Sequence, residues 1–432
     1  MALTLVDRPY NWTLRGQKLL YRISSTNVGE DGFKYGVSVT DAATGKVYTF
    51  FIDRSPSTND LLFDLAPVVK MFNDESTPDM HTAPTDDPWS EPLGGSWKQF
   101  NIQFSEWWLI GGILTDNETY LNATNYIMNG YYQAYDGYKP SVDSVGETQL
   151  ALTSATSRAW SDRQWNTHKW WYASSAFDNL SVNRTFIPCM NSDYGLLYAP
   201  LKTSLAGNAE KISINFFKGN IPIGSTSFVP TGGEVIGVGV YPMNLNDSGL
   251  SVSPAILPTW THYMVTFTNA GGAGNRSINY LFYDQEKNGQ FDCRYDYVRI
   301  AWVNSRSGWD YANFIKKNEV SNEFERKQYK KLLMNQYGTF DNWQRQLTDR
   351  ETIVTQTLTI TSDWIQENEF IFLRGLFASN QVEILNTDIT SKSLGYRKPV
   401  SIIDTSFVEK KERNGKLFNI TIKLKYSQDY WT

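Results

Sequence analysis

The sequence predicts a mainly β, multidomain protein of β-sandwich or Ig-like architecture with a few short helices. Three observations carry this. Aromatic residues make up 15% of the 432-residue chain, with 25 Tyr, 23 Phe and 15 Trp, and large rings pack well across neighbouring strands. Apolar and polar residues alternate at period two in several segments, as a half-buried strand requires. Turn-forming runs such as DAATG and GGAGNRS separate those segments.

The elements follow in order. QKLLYRIS reads as a strand, and FKYGVSVTDAATGKVYTFFID as a hairpin in which Phe33, Tyr35, Val37 and Val39 alternate with Lys34, Gly36 and Ser38. NDLLFDLAPVVKMF adds a short helix opened near Pro67. Residues 1–72 are therefore expected to form an N-terminal β domain. Residues 73–96 are acidic and proline-rich and read as a surface loop. With the aromatic stretch after it, 73–200 is expected to be an insertion or a second β domain.

KISINFFKG, GGEVIGVGVYPMN, THYMVTFTNA and INYLFYD predict a central β-sandwich over 201–315. KKNEVSNEFERKQYKKLL is polar and locally basic, and predicts a helical, basic connector over 316–350. A C-terminal α+β domain is expected over 351–432. There, ETIVTQTLTITSDW is a strand with Val354, Leu358 and Ile360 on one face. A helix comes next, capped by Ser362 or Asp363, with Ile365, Phe372, Leu373 and Leu376 as its buried stripe. In KLFNITIKLKY, Phe418, Ile420, Ile422, Leu424 and Tyr426 alternate with polar residues, so one face should be buried and the other wet.

Chemistry is sparse. The three histidines, His81, His168 and His262, form no metal-ligand pattern. There is no G-x-S-x-G nucleophile elbow and no phosphate-binding P-loop, and the Gly272 and Gly274 stretch lacks the strand-turn-helix context of a nucleotide site. Cys189 and Cys293 read as two separate buried thiols. Asp292, Asp296 and Asp310 flank aromatic residues, as glycosidase acids do, but linear spacing does not set the carboxylate separation such enzymes need. The expectation is a non-enzyme without cofactor or metal.

A formal net charge of -5 gives no general attraction to nucleic acid, and no apolar run is long enough for a membrane span. The opening MALTLVDRPYNWTLRG carries no signal-peptide hydrophobic segment, so a cytosolically made protein is expected.

Two aromatic groups stand out. Trp107, Trp108, Trp160, Trp165, Trp170 and Trp171 form a candidate glycan or partner surface, set against the plainer reading of core or interface packing. The other is IAWVNSRSGWDYANF, with Trp302, Asn304, Arg306, Gly308, Trp309, Asp310, Tyr311 and Phe314. YVRIAW reads as a strand and NSRSG as a turn. Trp309, Tyr311 and Phe314 would anchor the segment after the turn, and Arg306 and Asp310 would fix the turn by a charge-assisted bond. We read this as a structural joint or interface, with a ligand site as the competing reading.

YVRIAWVNSRSGWDYANF resembles a segment of virion structural proteins, tail- or baseplate-like, of tailed bacteriophages infecting Bacteroidota. In that family a turn ending in Asn is followed by Gly, an aromatic residue and Asp, and the matching positions here are Val303, Asn304, Gly308, Trp309, Asp310 and Phe314. Three further regions are similar: Phe33 to Val39 with Phe63, Asp64 and Leu65; DWIQENEFIFLRGLFASNQVEI; and KPVSIIDTSFVEKKERNGKLFNITIKLKY. The likeness samples both ends of the chain, while residues 75–200 lie outside it. It implies no catalytic residue. It implies a tail or baseplate scaffold protein located in the virion and assembled in the host cytoplasm. Its partners would be copies of itself and other virion proteins, with a host-surface glycan as a further candidate. A head-decoration, neck or collar protein is one alternative, and a glycan-binding adhesin or receptor-binding protein another.

Overall fold

The computed structural model describes residues 3–9, 12–14, 19–71, 90–92, 97–128, 184–200, 210–228, 235–247, 259–269, 279–286, 295–304, 308–331, 347–388, 393–403 and 417–427. The chain is mainly β, built from several sheets and short helices.

The first unit is a two-sheet sandwich. Its elements are β1 (Leu3–Asp7), β2 (Trp12–Leu14), β3 (Leu20–Ser25), β4 (Lys34–Asp41), β5 (Val47–Ile52), β6 (Leu61–Asp64) and α1 (Ala66–Met71). After β7 (Ser90–Pro92) come the long strands β8 (Trp97–Ile110) and β9 (Ile113–Met128). One sheet runs β1-β3-β6 and the other β2-β9-β8-β4-β5. Tyr21, Ile23, Leu61 and Phe63 from the first meet Tyr35, Val37, Val39, Phe100, Ile102 and Phe104 from the second in one core. The expected hairpin is present: Asp41 accepts from the Ala43 amide and the Thr44 hydroxyl, each at 2.9 Å. Gly45 then closes the turn at φ +69°, a conformation glycine adopts without penalty. Asp64 accepts from the Leu19 and Ala66 amides and so opens α1.

The expected boundary at residue 72 falls inside this unit. β8 pairs antiparallel with β4 over eight positions, so residues 97–128 complete the N-terminal sandwich. The intervening acidic segment contributes β7 to a different sheet, where it pairs with Val235–Gly239. Its Pro92 sits in an edge strand of that sheet, where a missing donor is tolerated.

The central region contains β10 (Arg184–Cys189), β11 (Leu196–Pro200), β12 (Glu210–Lys218), β13 (Ile221–Phe228), β14 (Val235–Gly239), α2 (Pro242–Asp247), β15 (His262–Asn269) and β16 (Asn279–Asp284). A five-stranded sheet runs β10-β16-β15-β12-β13, and a three-stranded sheet β11-β14-β7. Ile212, Ile214, Phe216, Tyr263, Val265 and Phe282 are fully buried.

The C-terminal half is dominated by one seven-stranded antiparallel sheet. Its strands are β17 (Val298–Val303), β18 (Trp309–Phe314), β19 (Asn318–Lys330), β20 (Leu347–Thr361), β22 (Val382–Asp388), β23 (Ser393–Ile402) and β25 (Thr421–Tyr426), in the order β18-β17-β22-β23-β25-β20-β19. The short strands β21 (Ile365–Gln366) and β24 (Leu417–Phe418) pair beside it, and α3 (Glu367–Ala378) covers one face. Ile422 and Leu424 point into the core while Thr421, Lys423 and Lys425 are exposed, as the alternation requires.

Three expectations change here. Residues 318–330 and 347–350, expected to be part of a helical connector, are strand: β19 and β20 form a long antiparallel ribbon. The boundary expected at 315 cuts through the seven-stranded sheet, because β17 and β18 belong with β19, β20, β22, β23 and β25. Ser362 does not cap α3. It exchanges bonds with the C-terminal segment: its amide donates to Ile420 O at 2.8 Å, and its hydroxyl oxygen accepts from the Ile420 amide at 2.9 Å. Asp363 instead pairs with Lys316 at 3.3 Å.

Ser362→Ala should therefore cost about 1–2 kcal/mol by orphaning the Ile420 amide. Hydrogen exchange read by mass spectrometry should rise at Ile420 and not in the first turn of α3. The opposite pattern would restore the capping role.

Candidate functional site

The IAWVNSRSGWDYANF segment is the β17–β18 hairpin, and both its faces are covered. Directly opposed residues share a face in an antiparallel pair, and Trp302 opposes Asp310 while Ala301 opposes Tyr311. One face therefore carries Ile300, Trp302, Ala312 and Phe314 into the core under α3. Trp302 is fully buried, with its ring 5.1 Å from Phe372. The other face carries Arg299, Ala301, Trp309, Tyr311 and Asn313 toward the central region. Asn304 closes the turn: its amide donates to Gly308 O at 2.8 Å, and its Oδ1 accepts from the Gly308 amide at 3.0 Å. Arg306 lies outside the described residues, and so does its expected bond to Asp310. Trp309, Tyr311 and Phe314 are all buried, but Phe314 anchors the face opposite to the other two.

The second face meets the loop between β10 and β11 through a buried polar cluster. Arg299 Nη1 lies 2.9 Å from Asp193 Oδ2, with the two side chains 4% and 0% exposed. A buried charge needs every polar contact satisfied, and both partners meet that condition. Arg299 Nε and Nη2 donate to Tyr194 O at 3.2 and 2.8 Å, and Nη1 donates to Asn313 Oδ1 at 2.9 Å. Asp193 Oδ2 accepts from the Met190 amide at 2.8 Å and Asn313 Nδ2 at 2.7 Å, and Oδ1 accepts from the Tyr297 hydroxyl at 3.3 Å. The Ser192 and Tyr297 hydroxyls lie 2.6 Å apart.

Aromatic rings close the cluster. The guanidinium carbon sits 4.7 Å from the Tyr241 ring centroid and 4.8 Å from that of Tyr311, a double cation-π contact in a site without water competition. From Tyr311 a column of rings continues through Tyr241, Phe282, Tyr263 and Trp260, with neighbouring centroids 4.9–5.2 Å apart. Gly195 passes so close that a Cβ there would lie 2.7 Å from the Tyr241 ring. The Tyr311 hydroxyl accepts from the Leu196 amide at 3.2 Å.

Burial alone pulls the Arg299 pKa down. The Asp193 carboxylate and the surrounding tyrosines more than offset this, and the net shift is upward. Burial, reinforced by Asp193, raises Tyr297. Tyr311 is raised by burial as well, so these phenols stay protonated across the physiological range. Such a cluster holds elements in place. Its groups point at one another, and its one carboxylate already accepts from four donors.

No family model matches the chain, and no curated protein matches it. Among solved structures, the full extracellular region of plexin A4 (domains 1 to 8) overlaps at 9% identity and a TM-score of 0.16. That overlap covers 100% of this chain and 36% of the plexin chain, so this chain spans about a third of its length. Overlap at that level assigns neither fold nor function.

The tryptophan group separates. Trp160, Trp165, Trp170 and Trp171 lie outside the described residues. Trp107 and Trp108 are adjacent in β8 and are both half-buried. Trp107 lies over Gly36, donates to Ser105 Oγ at 2.9 Å and meets the Phe51 ring edge at 5.1 Å. Trp108 packs against the sandwich core. The two indoles serve different faces of the sheet, so they do not form one flat stacking platform. Sequence reasoning misses Trp364, whose side chain is 62% exposed beside β21. Asp310 is buried and Asp296 exposed, while Asp292 lies outside the described residues. His262 stacks on Phe217 at 5.0 Å. The Cys189 thiol is buried and donates to Tyr283 O at 3.4 Å, and Cys293 lies outside the described residues. Among the described residues, no three His, Cys, Asp or Glu side chains gather to hold a metal ion.

Arg299→Met should destabilise the protein by about 3–5 kcal/mol, because Asp193 would be left charged and buried. Asp193→Asn should cost less, since it keeps the shape and part of the bonding. The double variant should lose less than the sum of the two, as groups in one network do. Urea unfolding followed by tryptophan fluorescence measures all three. Additive losses would mean that the pair is not coupled.

Proposed function

We propose that the chain is a structural component of a tailed-phage virion, a tail or baseplate scaffold that holds its neighbours in fixed geometry. The observation that carries this reading is where the resembling residues fall. Val303, Asn304, Gly308, Trp309, Asp310 and Phe314, the positions that resemble the virion family, all lie on the hairpin buried on both faces. The same hairpin supplies Arg299 and Tyr311 to the buried cluster, so the resemblance tracks a rigid architectural element. A scaffold must transmit position between partners, and a charge pair locked by hydrogen bonds and stacked rings resists sliding in a way that apolar contact alone does not.

On this reading the chain acts by assembly, without turnover of a substrate. Its partners are copies of itself and other virion proteins, and it is made and assembled in the host cytoplasm. No helix among the described residues is long and apolar enough to cross a membrane.

The test is cryo-electron microscopy of the purified native particle together with mass spectrometry of its proteins. We expect the chain in stoichiometric, symmetric copies along the tail axis or in the baseplate. Copies confined to the head or neck would move it to decoration or collar. Density only at a distal tip with open tryptophans would make it a receptor-binding protein. Absence from intact particles would overturn the virion reading altogether.

A further inference from the structure

The β19–β20 ribbon extends beyond the sheet that anchors it. β25 pairs with β20 only over Thr357–Thr361, yet the ribbon continues to Lys330 and Leu347. Beyond that anchor β19 is exposed along its whole length. Val320 and Phe324 are 55% and 59% exposed, although they oppose Leu358 and Val354 on the face that leads into the core. A two-stranded ribbon with both faces wet is at best marginally stable, and apolar side chains along it favour a covering partner.

β19 is also the terminal strand of the seven-stranded sheet. Among the described residues no strand pairs with its outer edge. Its charges are segregated along its length. Glu319, Glu323 and Glu325 occupy the first part, and Arg326, Lys327 and Lys330 the second, with Lys331 just beyond. The acidic residues oppose Thr359, Thr355 and Ile353 across the ribbon, so the facing strand does not neutralise the block, although Glu319 meets Lys317 just before the strand in an exposed pair. In the basic block Lys327 meets Glu351 at 3.0 Å and Arg326 meets Asp349 at 3.8 Å. Those pairs are exposed and weak, and both basic groups remain open to solvent.

We propose that the occupant of this edge is β19 of a second copy of this chain, paired antiparallel about a two-fold axis. Antiparallel pairing brings the acidic end of each copy alongside the basic end of the other, with Lys327 on the same face as Glu319, Glu323 and Glu325, and Arg326 and Lys330 on the opposite face beside Val320 and Phe324. Parallel pairing would set like against like along the whole strand, which disfavours it. The two seven-stranded sheets become continuous, and the stripes bearing Val320 and Phe324 lie side by side. A two-fold contact is self-complementary by definition, as this charge pattern is. The inference does not depend on the assembly being a virion, so its failure would leave that reading standing.

The test uses the full chain in analytical ultracentrifugation. Wild type should form a concentration-dependent dimer at low salt that weakens as salt screens the blocks. A variant with Glu319→Lys, Glu323→Lys and Glu325→Lys should be monomeric, as should one with Arg326→Glu, Lys327→Glu and Lys330→Glu. Mixed one to one, the two variants should recover the dimer, because each supplies the complement of the other. Circular dichroism of each variant checks that the ribbon has formed. A wild-type chain that stays monomeric up to a concentration on the order of 100 µM would overturn the proposal. So would a dimer that both variants retain, or folded variants that fail to recover on mixing.

Discussion

The buried Arg299–Asp193 pair is the constraint on which the arrangement of the central and C-terminal sheets depends. A charge pair removed from water gains little by itself, because desolvation of both groups consumes most of the attraction. What it does is punish every alternative. If the β10–β11 loop shifts, Arg299 loses Tyr194 O and Asp193 together. If the hairpin shifts, Asn313 leaves both charged groups at once. The ring column behind Tyr311 and Tyr241 then sets the depth at which the guanidinium sits. Position is therefore fixed by several directional contacts that must be satisfied together, and apolar packing then fills around them.

This also explains why β17 and β18 are apolar or neutral at nearly every position apart from Arg299 and Asp310. A strand pair covered on both faces cannot use the alternation of a half-buried strand. Trp302 and Phe314 fill the side under α3, and Trp309 and Tyr311 fill the side toward the central region. Asn304 and Gly308 are buried, and the Asn304 side chain satisfies a Gly308 amide that is shut off from water.

Local patterns are legible in the sequence and distant pairings are not. The Asp41 turn, the alternation through Ile422 and Leu424, and the stripe of Phe372, Leu373 and Leu376 depend on neighbours within a few residues, and each is present, while Ile365, expected in the same helical stripe, falls in β21 before the helix begins. Arg299 and Asp193 stand 106 residues apart, and nothing near either names the other. The same distance effect misplaces the domain edges, since β8 returns to β4 across a long proline-rich segment. The helical expectation for β19 fails for a different reason. Exposed on both faces, it lacks the buried alternation that marks a strand, and Glu, Lys, Arg and Gln are good helix formers in isolation. Its pairing with β20 overrides that preference. Ser362 has the chemistry of a helix cap, but its hydroxyl serves the Ile420 amide of the C-terminal segment, a pairing 58 residues away in sequence.

The two edges of the seven-stranded sheet show what this division means physically. An edge strand exposes unpaired amides and carbonyls and must be covered or protected. β18 is covered from within the chain: its residues are buried, and the Tyr311 hydroxyl takes the Leu196 amide. β19 carries six charged residues and almost no burial. Scattered charges of one sign would repel an identical strand in either direction. Charges sorted into an acidic block and a basic block repel only parallel approach, and they leave antiparallel approach by an identical strand favourable. Protection and recognition then come from the same residues. The sheet is closed by its own fold at the β18 end and selective, by charge order, at the other.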